Sequence, residues 1–257
     1  MEFSSPREAA ALTLSLLDLT NLKDDCTDQQ IVELCQKAKT PNGHTAAICI
    51  WPRFVALARE ILGAEANIKI ATVVNFPSGD LPVSEVVEET RRAIKDGADE
   101  IDLVIPYRKF IAGDEAAVAE MVEAVRDAAP KPVLLKVILE TGELKEASLI
   151  QRASEIAIEN GADFIKTSTG KVAVNATLEA ADIMLRAIRE SKRNIGFKPA
   201  GGISSVNDAV LYLRLAETIM QPNWPMPSTF RFGASSLLDD VQNVLAGRQS
   251  SSGKAGY

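Results

Sequence analysis

The segments "FIKTSTGKVAVNAT" (164–177) and "GFKPAGG" (196–202) each place a lysine, Lys166 and Lys198, inside what otherwise reads as a short apolar strand. Lysine is almost never fully buried unless something compensates its charge. Strand alternation puts Lys166 on one face with Phe164 and Ser168. Read alone, such a lysine either snorkels to solvent from a strand end or serves chemistry. A second lysine on the next strand favours chemistry. Like charge and desolvation both disfavour protonation, so a crowded amine can be neutral near neutral pH, attack a carbonyl and form a Schiff base. Asp102 in "EIDLVIPYR" would then supply a carboxylate for proton transfer or water positioning. The plainer role for Asp102 is a salt bridge to one of the lysines.

An internal echo links these residues. "AIKDGADEID" (93–102) aligns without gaps to "AIENGADFIK" (157–166), and Asp102 falls on Lys166. Each copy is a helix end, a glycine corner and the start of a strand. The echo predicts that both side chains point inward at similar height; a shared corner would also produce it.

The chemistry needs elements to position it. Short apolar runs at 14–20, 45–50, 69–76, 100–106, 133–140, 164–169, 195–201 and 230–235 alternate with helical patterns. The helical stretch "TDQQIVELCQKAK" starts with Thr27 and Gln30 in capping-box spacing. One polar or reactive residue stands near the end of each run: Asp18, Cys49, Asn75, Asp102, Lys136, Lys166, Lys198 and Ser235. Eight regular β-α units in 257 residues predict an α/β fold, a single-domain (β/α)8 TIM barrel over residues 1–257, rather than an open sheet. The segment 248–257, ending in "SSSGKAGY", reads as a flexible tail.

In such barrels the loops after strands 7 and 8 often bind phosphate, where glycines admit backbone N–H groups and a helix start adds partial positive charge. "AGGIS" and "GASSL" occupy those places and nominate Gly201, Gly202, Ser235 and Ser236. Lys171, after Gly170, adds a charge at the rim, and Asp18, Thr20 and Thr169 complete the substrate-binding candidates. Asp18 either bonds a substrate hydroxyl or supports the first loop. Lys136 reads as electrostatic support and Cys49 as a small core residue. Arg91 and Arg92 read as a solvated helix face.

Composition sets the limits. The net charge of −7 argues against a broad nucleic-acid surface, and no apolar run is long enough for a membrane span. Three cysteines without CxxC spacing suggest free thiols and a cytoplasmic setting. The single histidine, His44, excludes a multi-histidine metal site and reads as a surface-loop residue.

"EIDLVIPYR", "LLKVILETGEL", "DFIKTSTGKVAVNAT", "GFKPAGGIS" and "RFGASSLL" together closely resemble the deoxyribose-phosphate aldolases, class I aldolases of the barrel type. The resemblance runs from "LDLTNL" to Tyr257. It implies cleavage of 2-deoxy-D-ribose 5-phosphate to D-glyceraldehyde 3-phosphate and acetaldehyde, without metal or cofactor. It also implies that Lys166 forms the Schiff base, that Lys198 lowers the amine's proton affinity, and that Asp102 works in a proton relay. Tyr257 matches a C-terminal tyrosine that assists proton transfer in some members. A homodimer is implied as well. Ser204 departs from the pattern, standing where relatives often carry arginine. A barrel lyase acting on another sugar phosphate, or a barrel that binds phosphate ligands without catalysis, would share many of these features.

Overall fold

Small or charged residues alternate with large aliphatic ones along the strands, and this alternation decides which face turns inward. In the computed structural model, which describes residues 3–64 and 67–251, eight parallel strands form the centre. They are β1 (Leu17–Asn21), β2 (Ala47–Ile50), β3 (Lys69–Val74), β4 (Glu100–Val104), β5 (Leu134–Ile138), β6 (Phe164–Lys166), β7 (Gly196–Lys198) and β8 (Phe232–Ala234). From β1 to β7 each strand pairs with the next in the chain, and β8 pairs with β1. Bridges Phe197–Phe230 and Ala200–Gly233 join β7 to the β8 segment and complete the ring. The (β/α)8 barrel expected from the sequence is the fold.

Ile48, Ile50, Ile70, Ile101, Leu103, Leu135, Val137 and Ile165 join the core under the surrounding helices. Each such side chain contributes about 1.5–3 kcal/mol by leaving water. Eight helices follow the strands in turn: α2 (Asp28–Lys37), α3 (Val55–Leu62), α4 (Val83–Lys95), α5 (Glu115–Ala128), α6 (Ala147–Glu159), α7 (Leu178–Ser191), α8 (Val206–Ile219) and α9 (Leu237–Leu245). The capping box of Thr27 and Gln30 forms as expected.

The sequence reading overextended the first strand. Leu14 and Ser15 belong to a preceding helix, α1 (Pro6–Ser15), which packs on α8 and α9. Ser5 caps that helix and Pro6 starts it, so local capping chemistry overrides the apolar run. "TPNGHTAA" forms a small antiparallel ribbon, Lys39–Thr40 with Gly43–His44, and His44 is exposed. Arg91 and Arg92 are exposed on α4.

Inside, the barrel is divided. Ala47, Cys49, Ala71 and Val73 of β2 and β3 form a small apolar cluster with Leu22. Across from it stand long side chains, and glycines make room for them. A Cβ at Gly196 would collide with the Phe164 ring, and one at Gly233 would sit 3.1 Å from Lys198 Cε. Small residues opposite large ones fill the interior to normal density.

Among the described residues, no helix is long and apolar enough to cross a membrane.

Candidate active site

Inward positions of β1, β4, β5, β6 and β7, and Arg231 just before β8, carry charge, and the strands bring these side chains together around one carboxylate. Asp102 Oδ2 accepts from Lys166 Nζ and from Lys198 Nζ, each at 2.8 Å. Its Oδ1 accepts from Lys136 Nζ at 2.8 Å. Lys198 Nζ also donates to Asp18 Oδ2 at 2.5 Å, and Lys136 pairs with Glu100 at 2.6 Å. Arg231 closes the cluster by donating to Asp18 Oδ1 at 2.7 Å and Glu100 Oε1 at 2.8 Å. Four cations therefore meet three carboxylates in a connected, buried network.

The echo of Asp102 and Lys166 is thus a direct contact. In the strand register, Asp102 pairs with Lys136, and Lys166 pairs with Ile138, two residues further on. That advance across two strands is the barrel's stagger, which brings both side chains to one interior level.

Burial favours the neutral form of each group, and the partners reverse that tendency. Asp102 is desolvated, yet Lys136, Lys166 and Lys198 hold it well below the usual carboxylate range. Lys198 is also desolvated, but Asp102 and Asp18 push its pKa up, and Asp102 and Glu100 do the same for Lys136. From the sequence, like charge and desolvation would neutralise an amine, with Asp102 either serving proton transfer or pairing with one lysine. The structure places a carboxylate between them, so Lys198 is a fixed cation. Lys166 differs from the other two lysines: Asp102 is its single carboxylate partner, and it alone has measurable exposure, 3%. Neither Asp18 oxygen is left for the first loop, since Lys198 and Arg231 take both.

All eight barrel strands run parallel, so the loops after β1, β6, β7 and β8 leave from one end of the barrel. Thr20, on β1, donates its hydroxyl to the Asp18 carbonyl at 2.8 Å. After β6, Lys171 Nζ reaches Asp24 Oδ1 at 3.0 Å. Gly201 and Gly202 follow β7 with φ of +84° and +83°, a conformation that side chains rarely adopt. Ser235 and Ser236 follow β8, exposed, at the start of α9. Tyr257 lies outside the described residues. The chain leading to it is tied at its root, where Ser250 and Ser251 bond to the Asp240 carboxylate.

Sequence reasoning missed three residues here. Glu100 and Arg231 were legible by the test applied to Lys166, as charges alternating with apolar neighbours inside a strand. Glu140 gave no such signal. It is fully buried with φ of +58°, and its carboxylate accepts from Thr169 N at 3.1 Å and Thr169 Oγ1 at 2.5 Å. Burial raises its pKa against those hydrogen bonds. The loop after β5 is thereby locked to "TSTGK". Gly142 completes the lock, because a Cβ there would collide with the Val174 carbonyl oxygen. Gly142→Ala is expected to part the two loops and cost about 1–3 kcal/mol. Denaturant unfolding checks this as a lower midpoint at unchanged slope.

Comparison with known proteins identifies the family. A curated deoxyribose-phosphate aldolase of Agrobacterium fabrum is 75% identical over 257 residues, covering 100% of this chain and 99% of its own. A crystal structure from Toxoplasma gondii, provisionally assigned as a deoxyribose-phosphate aldolase, superposes with a TM-score of 0.86 at 27% identity, over 95% of this chain and 96% of that one. The tetrameric deoxyribose phosphate aldolase of Aeropyrum pernix shares the fold, with a TM-score of 0.73 at 23% identity over 94% of each chain. The pattern of the DeoC/LacD family aldolases matches residues 12–243, and the chain belongs to that family.

Proposed function

We propose that the protein cleaves 2-deoxy-D-ribose 5-phosphate reversibly to D-glyceraldehyde 3-phosphate and acetaldehyde, with Lys166 as the Schiff-base amine. The observation that carries this reading is Lys166 at the open side of a buried cluster whose carboxylate, Asp102, also binds the fixed cation Lys198. Loss of one proton from Lys166 leaves three cations against three carboxylates. The neutral amine adds to the substrate aldehyde carbon, and water leaves as a proton returns through Asp102, giving a cationic imine. The imine draws the electron pair of the breaking carbon–carbon bond toward nitrogen as the substrate hydroxyl loses its proton. Glyceraldehyde 3-phosphate departs, and the remaining enamine is protonated and hydrolysed to acetaldehyde. Asp102 relays protons, the fixed charge of Lys198 lowers the amine's proton affinity, and Tyr257 assists at the nucleophilic carbon.

Asp18 keeps Lys198 in place, while Thr20, Thr169 and Gly170 line the approach. Gly201, Gly202, Ser235, Ser236 and Lys171 would receive the phosphate. No metal or cofactor enters these steps. We further infer one catalytic domain over 1–257, a cytoplasmic setting in deoxyribonucleoside breakdown, and assembly as a homodimer.

Turnover of 2-deoxyribose 5-phosphate, set against ribose 5-phosphate and fructose bisphosphate, tests the reading. Preference for either competitor would overturn the substrate assignment. Ser204 also allows a test of the phosphate site. Ser204→Arg is expected to lower KM for the phosphorylated sugar about 2- to 5-fold, the size of a surface charge contact. KM for unphosphorylated deoxyribose should not change.

A further inference from the structure

The proposed steps use Lys166, Asp102 and Lys198, with Asp18 holding Lys198. Glu100 and Arg231 belong to the same network but stand deeper, at the beginnings of their strand segments, and are 1% and 4% exposed. Arg231 makes two contacts to Glu100, at 2.8 and 3.3 Å, one to Asp18, and one to the Pro227 carbonyl at 2.6 Å. Its guanidinium also stands 5.8 Å from the Phe164 ring centroid. Neither residue contacts Lys166. Each reaches it through a chain of partners that ends at Asp102: Arg231 through Asp18 and Lys198, Glu100 through Lys136.

Arginine is permanently charged, so the network's cation surplus depends on Arg231. Charges in a desolvated interior interact far more strongly than in water. We propose that Arg231 and Glu100 are positioning residues of the reaction, which set from below the charge against which the catalytic amine releases its proton. The proposal rests on the assignment of Lys166 as that amine. The groups that face Lys166 are Asp102 from β4, Cys49 from β2 and Glu140 beyond β5; Lys136 from β5 and Lys198 from β7 share Asp102 with it, and Asp18 from β1 joins through Lys198. Burial keeps the Cys49 thiol protonated, and Glu140 is engaged with Thr169.

The sign follows from the count. Removing Arg231's charge leaves three lysines against three carboxylates, so the proton on the amine is held more tightly. Removing Glu100's charge leaves four cations against two carboxylates, so it is released more easily. The acid limb of kcat/KM against pH should therefore move up by about one unit in Arg231→Met and down by about one unit in Glu100→Gln. In the double variant R231M/E100Q the surplus is restored, and the limb should return to the wild-type position. Arg231→Lys keeps the charge and should keep the limb, which covers the case of a poorly folding methionine variant. Limbs that stay fixed, or that move the same way in both single variants, would overturn the proposal, as would a double variant that does not return. The limb should be measured twice, once from cleavage of 2-deoxyribose 5-phosphate and once from borohydride trapping of acetaldehyde. Wild-type protein that traps acetaldehyde on Lys166 without cleaving the sugar phosphate would refute the substrate assignment alone.

Discussion

Replacing Lys166 by leucine is expected to abolish carbon–carbon cleavage, by at least about 10⁴-fold, while leaving the barrel folded. The two parts have separate causes. Among the described residues, no other amine of the cluster is exposed, because Lys136 and Lys198 are fully buried and each engages two or more carboxylates. Without the Lys166 amine there is no imine to accept the electron pair. Stability is spared because Lys166 carries the surplus charge, and its loss leaves the network balanced. Leucine also fills the space of the buried stem. Replacing a buried charge by a well-packed apolar residue is often neutral or stabilising when no partner is left uncompensated. Circular dichroism with denaturant unfolding should show a native-like barrel. An unfolded variant would mean that the lysine is chiefly structural.

Asp102→Asn should have the opposite stability consequence. Asp102 is the hub for three ammonium groups, and its removal leaves four cations against two carboxylates. Removing one partner from a buried ionic cluster costs about 3–5 kcal/mol, and loss of the proton relay lowers kcat/KM by about 10²- to 10⁴-fold. The pH dependence has a defined sign. Desolvation acts to raise the Asp102 pKa, but the three lysines depress it well below the unfolded value. Its stabilisation is therefore complete above the unfolded carboxylate value of about 4 and is lost as pH falls below it. Wild-type protein should lose stability on acidification through this range, and the variant should show a shallower slope there. Equal slopes would mean that Asp102 contributes no ionic stabilisation.

The barrel was legible because its repeat is regular. A charged or polar residue recurs near the end of each apolar run, and all eight runs became strands. The lysine pair and Asp102 were legible for the same reason: a charge inside an apolar strand needs a partner, and the partners were themselves charges in strands. What the sequence hid was the connectivity. Spacing cannot say that Lys166 and Lys198 share one carboxylate oxygen, and so it cannot tell a neutral amine from a fixed cation. Glu140 was hidden because its role depends on a left-handed backbone turn that forms only when the loops after β5 and β6 meet. Leu14 and Ser15 failed for a local reason, since an apolar run of that length fits helix and strand equally until the cap at Ser5 is considered.

Borohydride reduction in the presence of acetaldehyde, followed by peptide mass spectrometry, tests the central claim most directly. The account predicts an N-ethyl group on Lys166 and none on Lys136, Lys171 or Lys198. Protein that turns over substrate with Lys166 unmodified, or with the label on another lysine, would contradict it.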